Sequence, residues 1–121
     1  MAAFAIDHVQ IAIPPGGEDL GRAFFGDVLG LVEIPKPPGL RVRGGCWFGL
    51  GDVQVHLGVD EDFRPARKAH LALRTDRLEE LRARLIDAGY AVRDDEPAGG
   101  RPRFFTHDPF GNRIEFLGPA I

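Results

Sequence analysis

The chain has 121 residues, 44% of them hydrophobic and 27% charged, with a formal net charge of −3 and one cysteine, Cys46. That size and balance describe one folded domain of ordinary composition, exclude a disordered chain, and give no electrostatic reason to expect nucleic acid as a partner. No apolar run nears the roughly 18 residues of a membrane span. The N-terminus shows no basic-then-apolar leader pattern and a lone cysteine allows no intrachain disulfide, so a cytoplasmic protein is expected.

Taken in chain order, the pattern predicts a strand over about 4–13, ending in Asp7-His8-Val9-Gln10-Ile11-Ala12-Ile13, and then a Pro14-Pro15-Gly16-Gly17 loop. A helix follows over about 18–29, with Leu20, Ala23, Phe24 and Val28 as its buried stripe and Gly30 just past its end. Short strands are expected at 31–34, 40–50 and 53–57, separated by Pro35-Lys36-Pro37-Pro38-Gly39 and by Gly51-Asp52. After a connector over 60–67 the same order returns. A strand over about 68–74 contains Ala69-His70-Leu71-Ala72-Leu73, and a helix over about 77–88 has the stripe Leu78, Leu81, Leu85 and Ala88, closed by Gly89. Asp76 with Glu79 three residues later reads as a capping box at its start. Strands at 90–93, 103–106 and 113–117 complete the chain, the last preceded by the turn Asp108-Pro109-Phe110-Gly111-Asn112.

Each half therefore reads β-α-β-β-β. From strand histidine to closing glycine the spacings are 30 − 8 = 22 and 89 − 70 = 19, and the longer loop of the first half accounts for the difference. Half a chain of this size buries too little surface to stand alone, so two halves sharing a sheet, with modules at about 1–60 and 66–121, is the expected organisation. Alternation along the strands assigns faces. His8 and Gln10 stand opposite Val9, Ile11 and Ile13; Gln54 and His56 stand opposite Val53, Val55 and Leu57; His70 stands opposite Leu71; Glu115 stands opposite Ile114 and Phe116. The polar set lies away from the aliphatic stripe, as a strand-lined metal cavity requires. Cys46, beside Trp47 and Phe48, reads as a packed small residue, and His107 as a turn residue.

A paired βαβββ chain with a strand-borne histidine in each half resembles the vicinal oxygen chelate superfamily of glyoxalases, fosfomycin- and bleomycin-resistance proteins and extradiol dioxygenases. The resemblance runs from Asp7-His8-Val9 through Phe24-Phe25-Gly26-Asp27-Val28-Leu29-Gly30-Leu31 to Asp108-Pro109-Phe110-Gly111-Asn112-Arg113-Ile114-Glu115-Phe116. The last stretch is the most specific piece; Phe25 stands where the family usually carries Tyr. The resemblance implies an α+β fold in which two βαβββ modules curve a mixed sheet around a central cavity, with helices outside. It also implies metal ligands at His8, His70 and Glu115, with Glu115 doubling as catalytic base. A fourth ligand would come from the end of the first module, His56 by face and register or, less well placed, Gln54. Two or three imidazoles and a carboxylate suit Zn, Ni, Co, Mn or Fe as divalent ions.

Gln10, Trp47 and Arg103 are the expected substrate contacts, with Arg41 and Arg43 also near the cavity. The function implied is a metal-dependent enzyme of lyase, isomerase or ring-cleaving type acting on a small substrate with vicinal oxygens. A metal-free binding protein of the bleomycin-resistance kind is the alternative. Relatives of this length commonly form homodimers, some by exchanging modules, so a homodimer is expected.

Overall fold

The computed structural model describes residues 2–119. The chain divides between Arg64 and Pro65 into two compact units, and each is a βαβββ module with its own four-stranded mixed sheet. The fold is α+β. Among the described residues no helix is long and apolar enough to cross a membrane.

The first module contains β1 (His8–Ile13), a helix that starts as α1 (Glu18–Gly21) and continues as a π-helical stretch (Arg22–Val28), β2 (Val32–Ile34), a 3₁₀ turn (Pro38–Arg43), β3 (Cys46–Leu50) and β4 (Val53–Val59). Its strand order is β1-β4-β3-β2, with β1 parallel to β4 and the other pairs antiparallel. The helical crossover after β1 is what permits a parallel neighbour, since parallel strands cannot be joined by a tight turn. Register sets the two faces. Val9 pairs with Val55 and Val55 with Phe48, while Ile11 pairs with Leu57 and Leu57 with Cys46, giving a buried apolar layer. On the other face Gln10 pairs with His56 and His56 with Trp47.

The second module repeats this with β5 (Leu71–Arg74), α2 (Leu78–Asp87), β6 (Arg93–Ala98), β7 (Arg101–His107) and β8 (Arg113–Leu117), ordered β5-β8-β7-β6. Its core layer joins Leu73, Phe116 and Phe104 in one cross-strand row, with Ile114 and Thr106 in the next. Helix α2 buries Leu78, Leu81 and Leu85, and its Arg82 lies over the Phe104 ring while also pairing with Asp94. The opposite face carries Ala72, Glu115 and Phe105 in one row.

Several local expectations are corrected. Each module carries the mixed four-stranded sheet expected of it, and the differences lie within the modules. Strand β1 begins at His8; Phe4 and Ile6 before it are exposed. The expected helix over 18–29 is present, but its second half widens, with Leu29 N–H donating to the Phe24 carbonyl five residues back. Consecutive side chains then diverge by a smaller angle, and Phe24 and Phe25 are both fully buried while Leu20 is left 58% exposed. A stripe drawn at the α-helical period misses this. The long strand expected at 40–50 is a 3₁₀ turn followed by a five-residue strand. The capping box at Asp76 does not form: no side chain caps α2, and Thr75 Oγ1 accepts the Arg77 N–H instead. The strand expected at 90–93 lies later, at Arg93–Ala98.

Candidate metal and substrate site

The first module gathers its site residues into a stack of rings. The His56 ring lies 3.9 Å from that of Trp47, nearly coplanar at 2°, and 4.2 Å from that of His8 on its other side. His56 is buried, and its Nε2–H donates to Gln54 Oε1 at 2.8 Å, which leaves Nδ1 with the lone pair of the neutral ring. Burial first, and the neighbouring His8 second, lower the His56 pKa, keeping the imidazole in the neutral form a metal requires. His8 is half-exposed, and its Nδ1–H donates to Asp7 Oδ2 at 2.8 Å. A carboxylate on one ring nitrogen orients the imidazole and frees the other nitrogen to bind.

Gln10 packs so closely on β4 that a Cβ at Gly58 would lie 2.6 Å from its amide carbon. Gln10, Arg43 and Trp47 line a small cavity of about 170 Å³. Arg41 bonds instead to the Lys36 carbonyl through Nε. Cys46 is buried and its thiol is pushed up to about 11, so it stays protonated and is a packed residue.

The second module gathers charge. His70 Nδ1–H donates to the Lys68 carbonyl at 2.9 Å. A carbonyl can only accept, so this bond fixes the tautomer and points the Nε2 lone pair elsewhere. Nε2 faces Glu115 Oε1 at 2.7 Å. An imidazole nitrogen and a carboxylate oxygen thus converge, the donor types that a divalent transition metal takes. Glu115 is buried, and its second oxygen accepts from Arg103 Nη1 at 3.2 Å. Arg103 is itself held: its Nε donates to the Glu96 carbonyl and its Nη2 lies 3.6 Å from Asp95. The donor pair thus fits a metal in chemistry, with one imidazole whose outer nitrogen is tied and one carboxylate whose far oxygen is anchored.

The two pairs occupy equivalent positions. Two residues after His8, Gln10 pairs with His56; two residues after His70, Ala72 pairs with Glu115. The repeat therefore aligns His56 with Glu115, and Trp47, opposite His56, with Phe105, opposite Glu115. Matching His56-Leu57-Gly58 to Phe116-Leu117-Gly118 by sequence likeness would instead set Val55 against Glu115, and the register does not follow it. Among the described residues, no three His, Cys, Asp or Glu side chains form a group able to hold a metal ion; the donors come as pairs, one in each module.

Two features escaped the sequence reading. Asp7 as the partner of His8 was visible as its neighbour, but nothing in the pattern told a bonded carboxylate from a solvated one. A basic cavity of about 640 Å³ in the second module, lined in part by Arg93, Phe105 and Arg113, was also missed. Alternation along β7 and β8 carries its signal, because Arg103, Phe105 and His107 share a face with Arg113 and Glu115. The turn before β8 has a structural reason: buried Asp108 accepts the N–H groups of Phe110 and Asn112 and the Asn112 side-chain amide, while burial outweighs those bonds and raises its pKa.

Residues 18–117 match the glyoxalase-like domain family model. The chain belongs to that family, within the vicinal oxygen chelate superfamily, whose members bind small-molecule substrates and commonly use divalent metals. A glyoxalase family protein from Bacillus anthracis is 45% identical, with a TM-score of 0.92 over 99% of this chain and 98% of that one. The fold is shared with lactoylglutathione lyase from Agrobacterium tumefaciens (20% identity, TM-score 0.71, 98% and 95% covered). It is shared as well with a fosfomycin resistance protein from Listeria monocytogenes (11%, 0.73, 100% and 96%). No curated protein matches the chain.

Proposed function

We propose that the chain is a metal-dependent enzyme of the glyoxalase family, of lyase, isomerase or ring-cleaving type, acting on a small substrate with vicinal oxygens. His8, His70 and Glu115 are its metal ligands and His56 the fourth. The observation that supports this reading best is the His70–Glu115 pair, an imidazole whose outer nitrogen is tied to the Lys68 carbonyl beside a carboxylate whose far oxygen is anchored by Arg103. In the first module the buried His56 ring supplies a neutral nitrogen donor, and His8, held through Nδ1 by Asp7, supplies a second imidazole. A divalent cation bound there supplies a Lewis acid for a carbonyl or hydroxyl oxygen of the substrate.

The chain's own residues do the rest. Glu115 accepts a proton from the carbon beside that oxygen, through Oε1, while Arg103 holds Oε2 and keeps the carboxylate aimed. Gln10 and Trp47 hold the substrate at the first module, the indole excluding water from one side. The protein works in the cytoplasm as a homodimer.

A second reading has its own support. Arg103 already pairs with Glu115, as in a metal-free binder of the bleomycin-resistance kind whose site carboxylate is balanced by the protein itself. Elemental analysis of protein purified without a histidine tag separates the two. Near-stoichiometric transition metal, lost in His70→Ala/Glu115→Ala, is the expected result; no metal even after reloading would give the binder. Light scattering at micromolar concentration should report twice the 13.3 kDa chain mass.

A further inference from the structure

The second module's site face holds more positive charge than any reading of the His70–Glu115 pair uses. Its cavity of about 640 Å³ is lined by Arg67, Lys68, Arg93 and Arg113 against one acidic residue, Asp95. That is three positive charges in excess within a chain whose net charge is −3. Asp95 is turned toward Arg103. Arg93 and Arg113 have no ion-pair partner among the described residues; their guanidinium groups lie 6.0 and 4.4 Å from the centre of the Phe105 ring. Stacking on an aromatic face holds a guanidinium in place without consuming its N–H donors, which remain free for an anion. The volume falls in the range of small-molecule sites.

The cavity adjoins the donor pair by covalent and packing links. Phe105 pairs directly with Glu115 across the strands, and the His70 ring meets the Phe105 ring edge-on at 5.4 Å. Lys68, on the cavity wall, supplies the carbonyl that fixes the His70 tautomer.

We propose that this cavity is the seat for an anionic group of the substrate, a carboxylate or a phosphate, held by Arg93 and Arg113 over Phe105. The substrate class of the site is thereby narrowed to small organic acids or phosphate esters. The inference rests on the proposed function for its meaning, but not for its test. Anchoring the acid against Phe105, the cross-strand partner of Glu115, orients the reacting carbon and puts binding energy into position.

The test titrates the full-length, isotope-labelled chain, at constant chloride ionic strength, with inorganic phosphate, with succinate and with neutral 1,2-propanediol, read by amide NMR. Saturable shifts centred on Arg93, Phe105 and Arg113 are expected with an anion and not with the diol. The stronger of the two anions names the acid. In Arg93→Gln/Arg113→Gln the affinity should fall about tenfold or more, while Arg41→Gln in the first module leaves it unchanged. Shifts that grow linearly with either anion, or a double variant that binds as the parent does, would overturn the proposal. Metal content of the same double variant keeps the readings apart. Lost anion binding with metal retained is expected; a protein that never holds metal but binds the anion refutes the enzyme reading alone.

Discussion

The two modules share strand order, register and crossover, yet their site faces differ in kind. The first presents stacked rings and amides, Trp47 on His56 on His8 with Gln10 and Gln54. The second presents a charge network, in which His70, Glu115, Arg103 and Asp95 are linked in series. The backbone frame of a repeat constrains which positions face the site, and leaves the chemistry at those positions free. Trp47 and Phe105 are equivalent in register, but one covers an imidazole and the other carries guanidinium groups.

This contrast can be broken at the frame before it is sharpened at the site. The largest effect is expected in the first module at Gly45, which has φ of +80° and where a Cβ would lie 2.1 Å from the Leu57 carbonyl oxygen. Gly45→Ala should cost roughly 4 kcal/mol or more, from backbone strain and a clash that no side chain can relieve. Urea unfolding measures it, and a loss under 1 kcal/mol would show that β3 and β4 yield more easily than their register suggests.

Asp108→Ala tests the second module in the same assay. It strands the partly buried N–H groups of Phe110 and Asn112 and should cost about 3 kcal/mol, with Asp108→Asn losing less because one acceptor oxygen remains. Equal losses for the two variants would assign the turn to packing alone.

The smallest effect is the pH response of the ring stack in metal-stripped protein. His56 has its pKa lowered below 6.5 in the folded state, so the unfolded chain binds the proton more readily. Stability is therefore full above pH 6.5 and falls as pH drops below it. Thermal melts across pH 7 to 5 should show that decline, shallower in His56→Phe; an unchanged slope would mean that other groups set it.

Much of this frame was legible in the residues. The period-two pattern placed His8, His56, His70 and Glu115 on the faces where they lie, because one face of each strand had to be buried. Helix α2 followed the α-helical period and was found within a residue of its ends. The first helix defeated the same rule, since a π-helical turn changes the period and no composition signal announces it. The second strand of the second module was misplaced because Arg93-Asp94-Asp95-Glu96 is too polar to read as a strand; it is an edge strand held by pairing to β7. Hydrogen-bond partners such as Arg103 for Glu115 lie beyond pattern altogether, because reach depends on rotamers and not on alternation.

Each donor pair joins the opening of its module to its closing strand: His8 stacks on His56, and His70 bonds Glu115. A module interrupted anywhere between those residues has no pair to offer. Any ligand that engages a pair thus recognises the finished module and not a fragment of it, and ties the cohesion of the 44 or 47 intervening positions to its own occupancy.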